Sequence, residues 1–207
     1  MLKTGVMARS DALAIDETAA ADSADWPYPR SIDLDFLQRC HPRIADFYRY
    51  WDGKRGSRRM PSRADMVPSE MKMFLPGIVL VAVAYKPLRL TYRLVGTREV
   101  DYRGYDPTGK DVAEHFAGSS QQEVMRNYEL VIESKSFVYD EDCLLSADHS
   151  FQEAGTLLLP LSDDGEAINM VIVYNHYRVL TPFVSRPKPR IAGRAFHQLS
   201  ETPAHTR

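Results

Sequence analysis

The chain has 207 residues, with 26 Lys and Arg against 28 Asp and Glu, a formal net charge of -2 and two cysteines. That length suits one domain of ordinary size with extensions and buries a sizeable core without metal or disulfide support. Near-neutrality excludes a global field steering the molecule to nucleic acid or an anionic membrane, and Cys40 and Cys143, too few for a disulfide framework, read as buried thiols in a reducing compartment.

Up to Asp25 small and acidic residues dominate, and Arg9, Asp11, Asp16 and Glu17 interrupt every candidate signal-peptide core. No segment approaches the roughly 20 apolar residues of a membrane span. The sequence therefore predicts a cytoplasmic protein with a disordered leader and a stiff bridge over 1–29, the bridge being Trp26-Pro27-Tyr28-Pro29. A helical segment follows over 30–77. Ile44, Phe47, Tyr48 and Trp51 fall at i, i+3, i+4 and i+7, on one face of a helix that begins near Pro42 and is ended by Gly53 and Gly56. Pro68, Met71, Phe74 and Leu75 predict a second, short helix before Pro76 and Gly77 turn the chain.

The next segment, 78–177, alternates differently. The β-branched run from Ile78 to Val83 and the stretch from Arg89 to Val95, joined at Lys86 and Pro87, predict an antiparallel strand pair. Gly96, Gly104, Pro107, Gly109 and Gly118 then leave room only for short helical pieces. From Ser119 to Ser134 the pattern is helical, with Ser120 and Glu123 spaced as a capping box and Val124, Tyr128, Val131 and Ile132 on one side. Strands are predicted over 137–145, 151–161 and 168–177, the last two joined by a turn at Ser162-Asp163-Asp164-Gly165. Beyond Tyr177, over 178–207, prolines and six basic residues against one acid describe a mobile basic tail.

Five strands interrupted by helices close as an α+β fold. The helical stretch must cross one face of a five-stranded antiparallel sheet, enclosing a pocket, with the amphipathic N-terminal helix preceding it. The phrases VDYRGYDPTGKDVAEHF from Val100, MPSRADMVPSEMKMFLPGIVLVAV from Met60, LTYRLVGT from Leu90 and LLLPLSDDG from Leu157 together resemble PAS domains. The branch they resemble is that of stand-alone bacterial PAS-domain proteins, small regulators of alphaproteobacterial type. The resemblance implies a PAS-like sheet with helices on one face. It further implies a sensory or regulatory role in signal transduction, acting by small-molecule binding, protein contact or both. Within the motif, Gly96, Gly104 and Gly109 permit the turns that join short helices to the sheet, while Asp106 or Thr108 caps a helix start.

On the strand from Leu90, Tyr92 shares a face with Leu90 and Leu94; if that face meets the helices, Tyr92 lines the cavity, with His115, Phe116, Tyr128, Phe151 and Tyr174 as companions. The same side chains could instead fill the space. Arg55, Arg58, Arg59 and Arg63 sit in a loop that could grip a phosphate or other anion, or simply be solvated. The helix carrying Ile44, Phe47, Tyr48 and Trp51 is the expected homodimer or partner contact. No cofactor is predicted. Flavin is rejected because neither cysteine stands in the Asn-Cys-Arg phrase of photochemical PAS domains. Haem is disfavoured, because a lone histidine, His115, more often packs than ligates. Cys143 and His149 fall short of the four ligands of a structural zinc site. The remaining alternatives are a small pocket enzyme using His115 or Asp140 as base, and a ligand-free dimeric adaptor. Nucleic-acid binding lacks a recognition helix.

Overall fold

The computed structural model describes residues 30–118, 120–145 and 151–179. The predicted leader, most of the tail and His149 lie outside them. Among the described residues are six strands, β1 (Arg30–Ser31), β2 (Ile78–Ala84), β3 (Arg89–Val95), β4 (Val138–Leu145), β5 (Phe151–Leu161) and β6 (Met170–Val179), with three α-helices, α1 (Pro42–Arg55), α2 (Thr97–Arg103) and α3 (Gln121–Ser134).

The strands form one antiparallel sheet in the order β1-β4-β5-β6-β2-β3. β2 and β3 are a hairpin, β4 to β6 a meander, and the pairing of β6 with β2 places the two ends of the core side by side. The five expected strands are present, and the two-residue β1 extends the sheet by pairing Ser31 with Tyr139. The outer edge of β3 is partly covered, since Tyr92 N donates to Lys110 O at 3.0 Å and Val112 N to Leu90 O at 2.9 Å. Covered edges remove a template for aggregation.

Both faces of the sheet are buried. Ile78, Tyr174, Leu157 and Tyr139 stand in register across β2, β6, β5 and β4, all buried, and α1 packs on this row. Phe47 meets Tyr174 at 5.1 Å between ring centroids, Phe36 stacks on Tyr139 at 4.9 Å, and Trp51 Nε1 donates to Pro160 O at 3.0 Å. On the other face Val138, Leu158, Val173 and Val79 form the corresponding row, covered by α2 and α3. Burying each such aliphatic or aromatic side chain contributes about 1.5–3 kcal/mol, so the face under α1 is core rather than surface.

Local signals explain the helix ends. Pro42 occupies the first turn of α1, His41 Nδ1 accepts from Arg43 N, and Lys54 and Arg55 oppose the negative end of the helix dipole. The helix runs through Gly53 and stops at Gly56, whose φ is +57°. Ser120 caps α3 by accepting from Glu123 N at 3.1 Å. The predicted helix around Pro68 is instead a run of turns ending in a 3-10 turn at Leu75–Gly77, because Pro76 leaves too few residues to repay helix nucleation.

Candidate functional site

On the α3 face, the row next to Val138-Leu158-Val173 is polar. Asp140, Thr156 and Asn175 are in register across β4, β5 and β6. The apolar stripe of α3 brings Asn127 down on this row, in a position that its neighbours Val124, Tyr128 and Val131 would make apolar. Asn127 is 5 % exposed and its Nδ2 donates to Asp140 Oδ2 at 2.6 Å. A cavity of about 60 Å³ lies here, its wall including Tyr92, Arg103, Asn127, Tyr128, Asp140 and Asp142, with Asn175 and Tyr177 at the β6 side. Asn127 Oδ1 is buried without a protein hydrogen-bond partner. A buried acceptor left unsatisfied costs about 1–3 kcal/mol.

Behind the wall, α2 is fastened to the sheet by a buried carboxylate. Glu99, fully buried, accepts from Asn175 Nδ2 at 2.9 Å and Tyr177 OH at 2.8 Å through Oε2. Burial raises its pKa above the ordinary range, against the hydrogen bonds and the charge of Arg103. Arg98 Nη2 donates to Asn175 O at 2.9 Å, and Tyr102 stacks on Tyr177 at 4.8 Å. Arg103 lies over the Tyr92 ring, 5.1 Å from its centroid, and its Nη1 donates to His115 O at 3.1 Å. Burial also raises the Tyr92 hydroxyl, which donates to the same carbonyl at 3.1 Å. Glu99, Arg103, Asn127, Asn175 and Tyr177 escaped the sequence reading; for Asn127 and Asn175 the signal was available as polar residues at positions that helix or strand spacing assigns to a buried face.

Of the expected pocket residues, Tyr92 and Tyr128 are in the wall. Tyr174 points to the opposite face, against Phe47 and Phe74, because strand alternation sends it away from Val173 and Asn175. His115 and Phe116 are half-buried and outside the described wall; the His115 ring meets Tyr105 OH at 3.3 Å. Phe151 is on β5, with its side chain outside the described part.

Two further expectations need correction. Ile44, Phe47, Tyr48 and Trp51 are all buried within the chain itself, since α1 lies on the sheet, and so do not face a partner. The arginine loop is not a converging cradle. Arg55 bridges Asp52 at 2.6 Å, Arg58 bridges Asp65 at 2.9 Å, and Arg63 Nη1 donates to Met66 O at 3.1 Å, while Arg59 is exposed.

In the motif segment, Gly104 closes α2 at φ +77° and Gly109 has φ +85°. Gly96 serves differently, because a Cβ there would come within 2.3 Å of Leu75 O. Asp106 Oδ1 accepts from Thr108 N at 2.9 Å, forming a turn rather than a helix start. Cys40 is half-buried, and burial raises its thiol pKa. Among the described residues, no group of three or more His, Cys, Asp and Glu could hold a metal ion.

A two-sided antiparallel sheet in the order β4-β5-β6-β2-β3, with helices over a small polar cavity, defines a pocket-bearing α+β domain. The family model described as PAS domain matches residues 39–173, more than half of the chain, and the chain belongs to the PAS-domain family. The match takes in α1 as well as β2 to β5 and the start of β6. Similar solved structures include one described as an RNA-binding light-oxygen-voltage receptor, with 14% identity and TM-score 0.40 over 56% of this chain and 35% of that one. The Rhodobacter sphaeroides LOV protein has 10% identity and TM-score 0.40 over 57% and 70%. A light-oxygen-voltage domain with a flavin analogue has 8% identity and TM-score 0.42 over 55% and 84%. The chain thus spans about a third of the receptor. No curated protein sequence matches it. The rejection of flavin from cysteine context bears on the cysteinyl adduct alone and does not extend to flavin held without one.

Proposed function

We propose that this PAS domain is a regulator that binds a small molecule in the cavity between α3 and the sheet and transmits its occupancy through protein contact. The observation that carries this reading is the cavity itself, whose wall sets the nearly fully buried Asn127 beside Asp140. α3 holds Asn127, and α2 is tied to the β6 side of the same wall through Glu99. A ligand there would therefore act on both helices at once, which is the coupling a sensor needs.

Native mass spectrometry of the purified full chain tests the reading. The expected result is a retained small-molecule mass in the wild type that is lost in Asn127→Leu; a bare chain, with no molecule from a cell extract raising its thermal stability, would set the reading aside.

The chain is read as non-catalytic. The candidate bases are separated, His115 lying outside the wall that contains Asp140, and Asp140 is engaged by Asn127. A homodimer is part of the proposal, through a surface other than the buried face of α1, and sedimentation velocity reads it directly. Location in the cytoplasm belongs to the same proposal; no described helix is long and apolar enough to cross a membrane.

A further inference from the structure

The opposite face of the sheet carries a second cavity, of about 300 Å³, at the N-terminal end of α1. His41 and His176 both line it, and their rings stack at 3.6 Å between centroids with 21° between planes. Each ring is tied into the fold differently. His41 is the N-cap of α1, and its Nδ1 accepts from Arg43 N at 3.2 Å. His176 is a strand residue without side-chain neighbours in register. Its partner on β5 is Gly155, and β2 begins at Ile78, opposite Tyr174, and so stops short of it. Its Nδ1 is buried with no hydrogen-bond partner among the described residues. The His41 ring is therefore the contact that holds His176 in place. Phe36 on one side of His41 and Phe47 on the other are both fully buried, so any movement of His41 is confined to the stretch between them.

We propose that the His41–His176 stack is an acid-opened latch: protonation of both imidazoles parts the rings, frees the first turn of α1 and opens the cavity between α1 and the sheet. A proton on His41 Nδ1 turns that acceptor into a donor and ends the bond from Arg43 N. It also sets a positive charge at the positive end of the α1 dipole. Two charged rings in face contact repel, and the surroundings do not offset them. Arg39 and Arg178 are in the same wall, and Arg43 of α1 and Arg98 of α2 act on His176 as further cations. The carboxylate of the wall, Glu141, accepts from Tyr139 OH at 2.9 Å and faces Arg39 at 3.8 Å. Asp46, a turn along α1, pairs with Arg49 at 2.9 Å, and on β5 Glu153 stands opposite Arg178 in register. Cys40, beside His41 in the chain, has its thiol raised by burial and adds no charge in acid. Burial first, then the charges of His41, Arg98 and Arg43, lowers His176 to about 4 from 6.5. The folded chain thus favours the neutral ring, so the latch is fully closed above about pH 6.5 and gives way as pH falls through about 4.

An NMR titration of the full wild-type chain, from neutral pH down through about 4, tests the latch. The expected result is loss of the ring-to-ring contact between His41 and His176, with a shift of the Arg43 amide at the same midpoint. The Trp51 indole N–H, bonded to Pro160 O, is expected to hold its position and so to report that the rest of α1 stays on the sheet. His41→Asn keeps an N-cap acceptor without a titrating ring and should abolish the Arg43 shift. His176→Phe keeps a ring face without a charge and should keep the His41 ring in contact with it through the acid range. Rings that stay together while both imidazoles titrate would overturn the latch. So would an Arg43 amide that moves only together with the Trp51 indole, which would mean that acid unfolds the chain as a whole, or an Arg43 shift that persists in His41→Asn.

Discussion

A carboxylate with no solvent exposure, as Glu99 is, survives in a fold only with partners that replace water. Its bonds to Asn175 and Tyr177 and the charge of Arg103 are those partners. Glu99→Ala leaves the Asn175 amide and the Tyr177 hydroxyl without their acceptor, and urea unfolding should show a loss of about 1–3 kcal/mol, the usual cost of a buried group left unsatisfied. Glu99→Gln keeps an oxygen for both donors and should lose less. His176 offers a pH test on the opposite face. It stacks on His41 at 3.6 Å, and burial first, then the charges of His41, Arg98 and Arg43, lowers its pKa to about 4 from 6.5. Between those values the unfolded chain binds the proton more readily, so the His176 contribution to stability is complete above about pH 6.5 and is lost as pH falls through about 4. The urea midpoint of wild type should therefore drop over that window more steeply than that of His176→Phe; parallel curves would contradict the assignment. Neither residue stood out in sequence, since a glutamate on a seven-residue helix and a histidine near a strand end look like ordinary surface residues.

At the scale of elements, α1 was visible in its i, i+3, i+4, i+7 pattern, but the pattern reports only that a face is buried. It does not say whether sheet or partner buries it. The answer is the sheet, so Trp51→Glu should unfold the chain rather than dissociate a dimer. Trp51→Ala should cost about 3–5 kcal/mol by cavity formation, and Trp51→Phe, which loses chiefly the bond to Pro160 O, about 1 kcal/mol. Equal stability of Trp51→Ala and wild type in chemical denaturation would contradict this packing. Gly104→Ala places a Cβ at φ +77°, and its expected cost of about 1–2 kcal/mol is measurable in the same way. The stretch from Pro68 to Leu75 misled because Met71 and Phe74 are both buried at helical spacing. One turn of chain can satisfy that spacing without being a helix.

For the molecule as a whole, the antiparallel pairing of five core strands followed from the sequence because a β-branched hairpin, a helical crossover and a three-strand meander have few ways to close. The burial of both sheet faces was also written there. Leu157, Leu158 and Leu159 on β5, and Val171, Ile172, Val173 and Tyr174 on β6, form continuous apolar runs of the kind that sheets covered on both sides require. What could not be read was which tyrosine faces which layer, because register decides it: Tyr92 reaches the cavity and Tyr174 the α1 side. The cavity itself depends on Asn127, Asp140 and Asn175 meeting from α3, β4 and β6. A crystal structure of the purified full chain, at a resolution that shows ordered water, tests that meeting most directly. The expected result is non-protein density within hydrogen-bond distance of Asn127 Oδ1 between α3 and the β4-β5-β6 row. An Asn127 side chain satisfied by protein atoms alone, with α3 packed flush on the sheet, would contradict it.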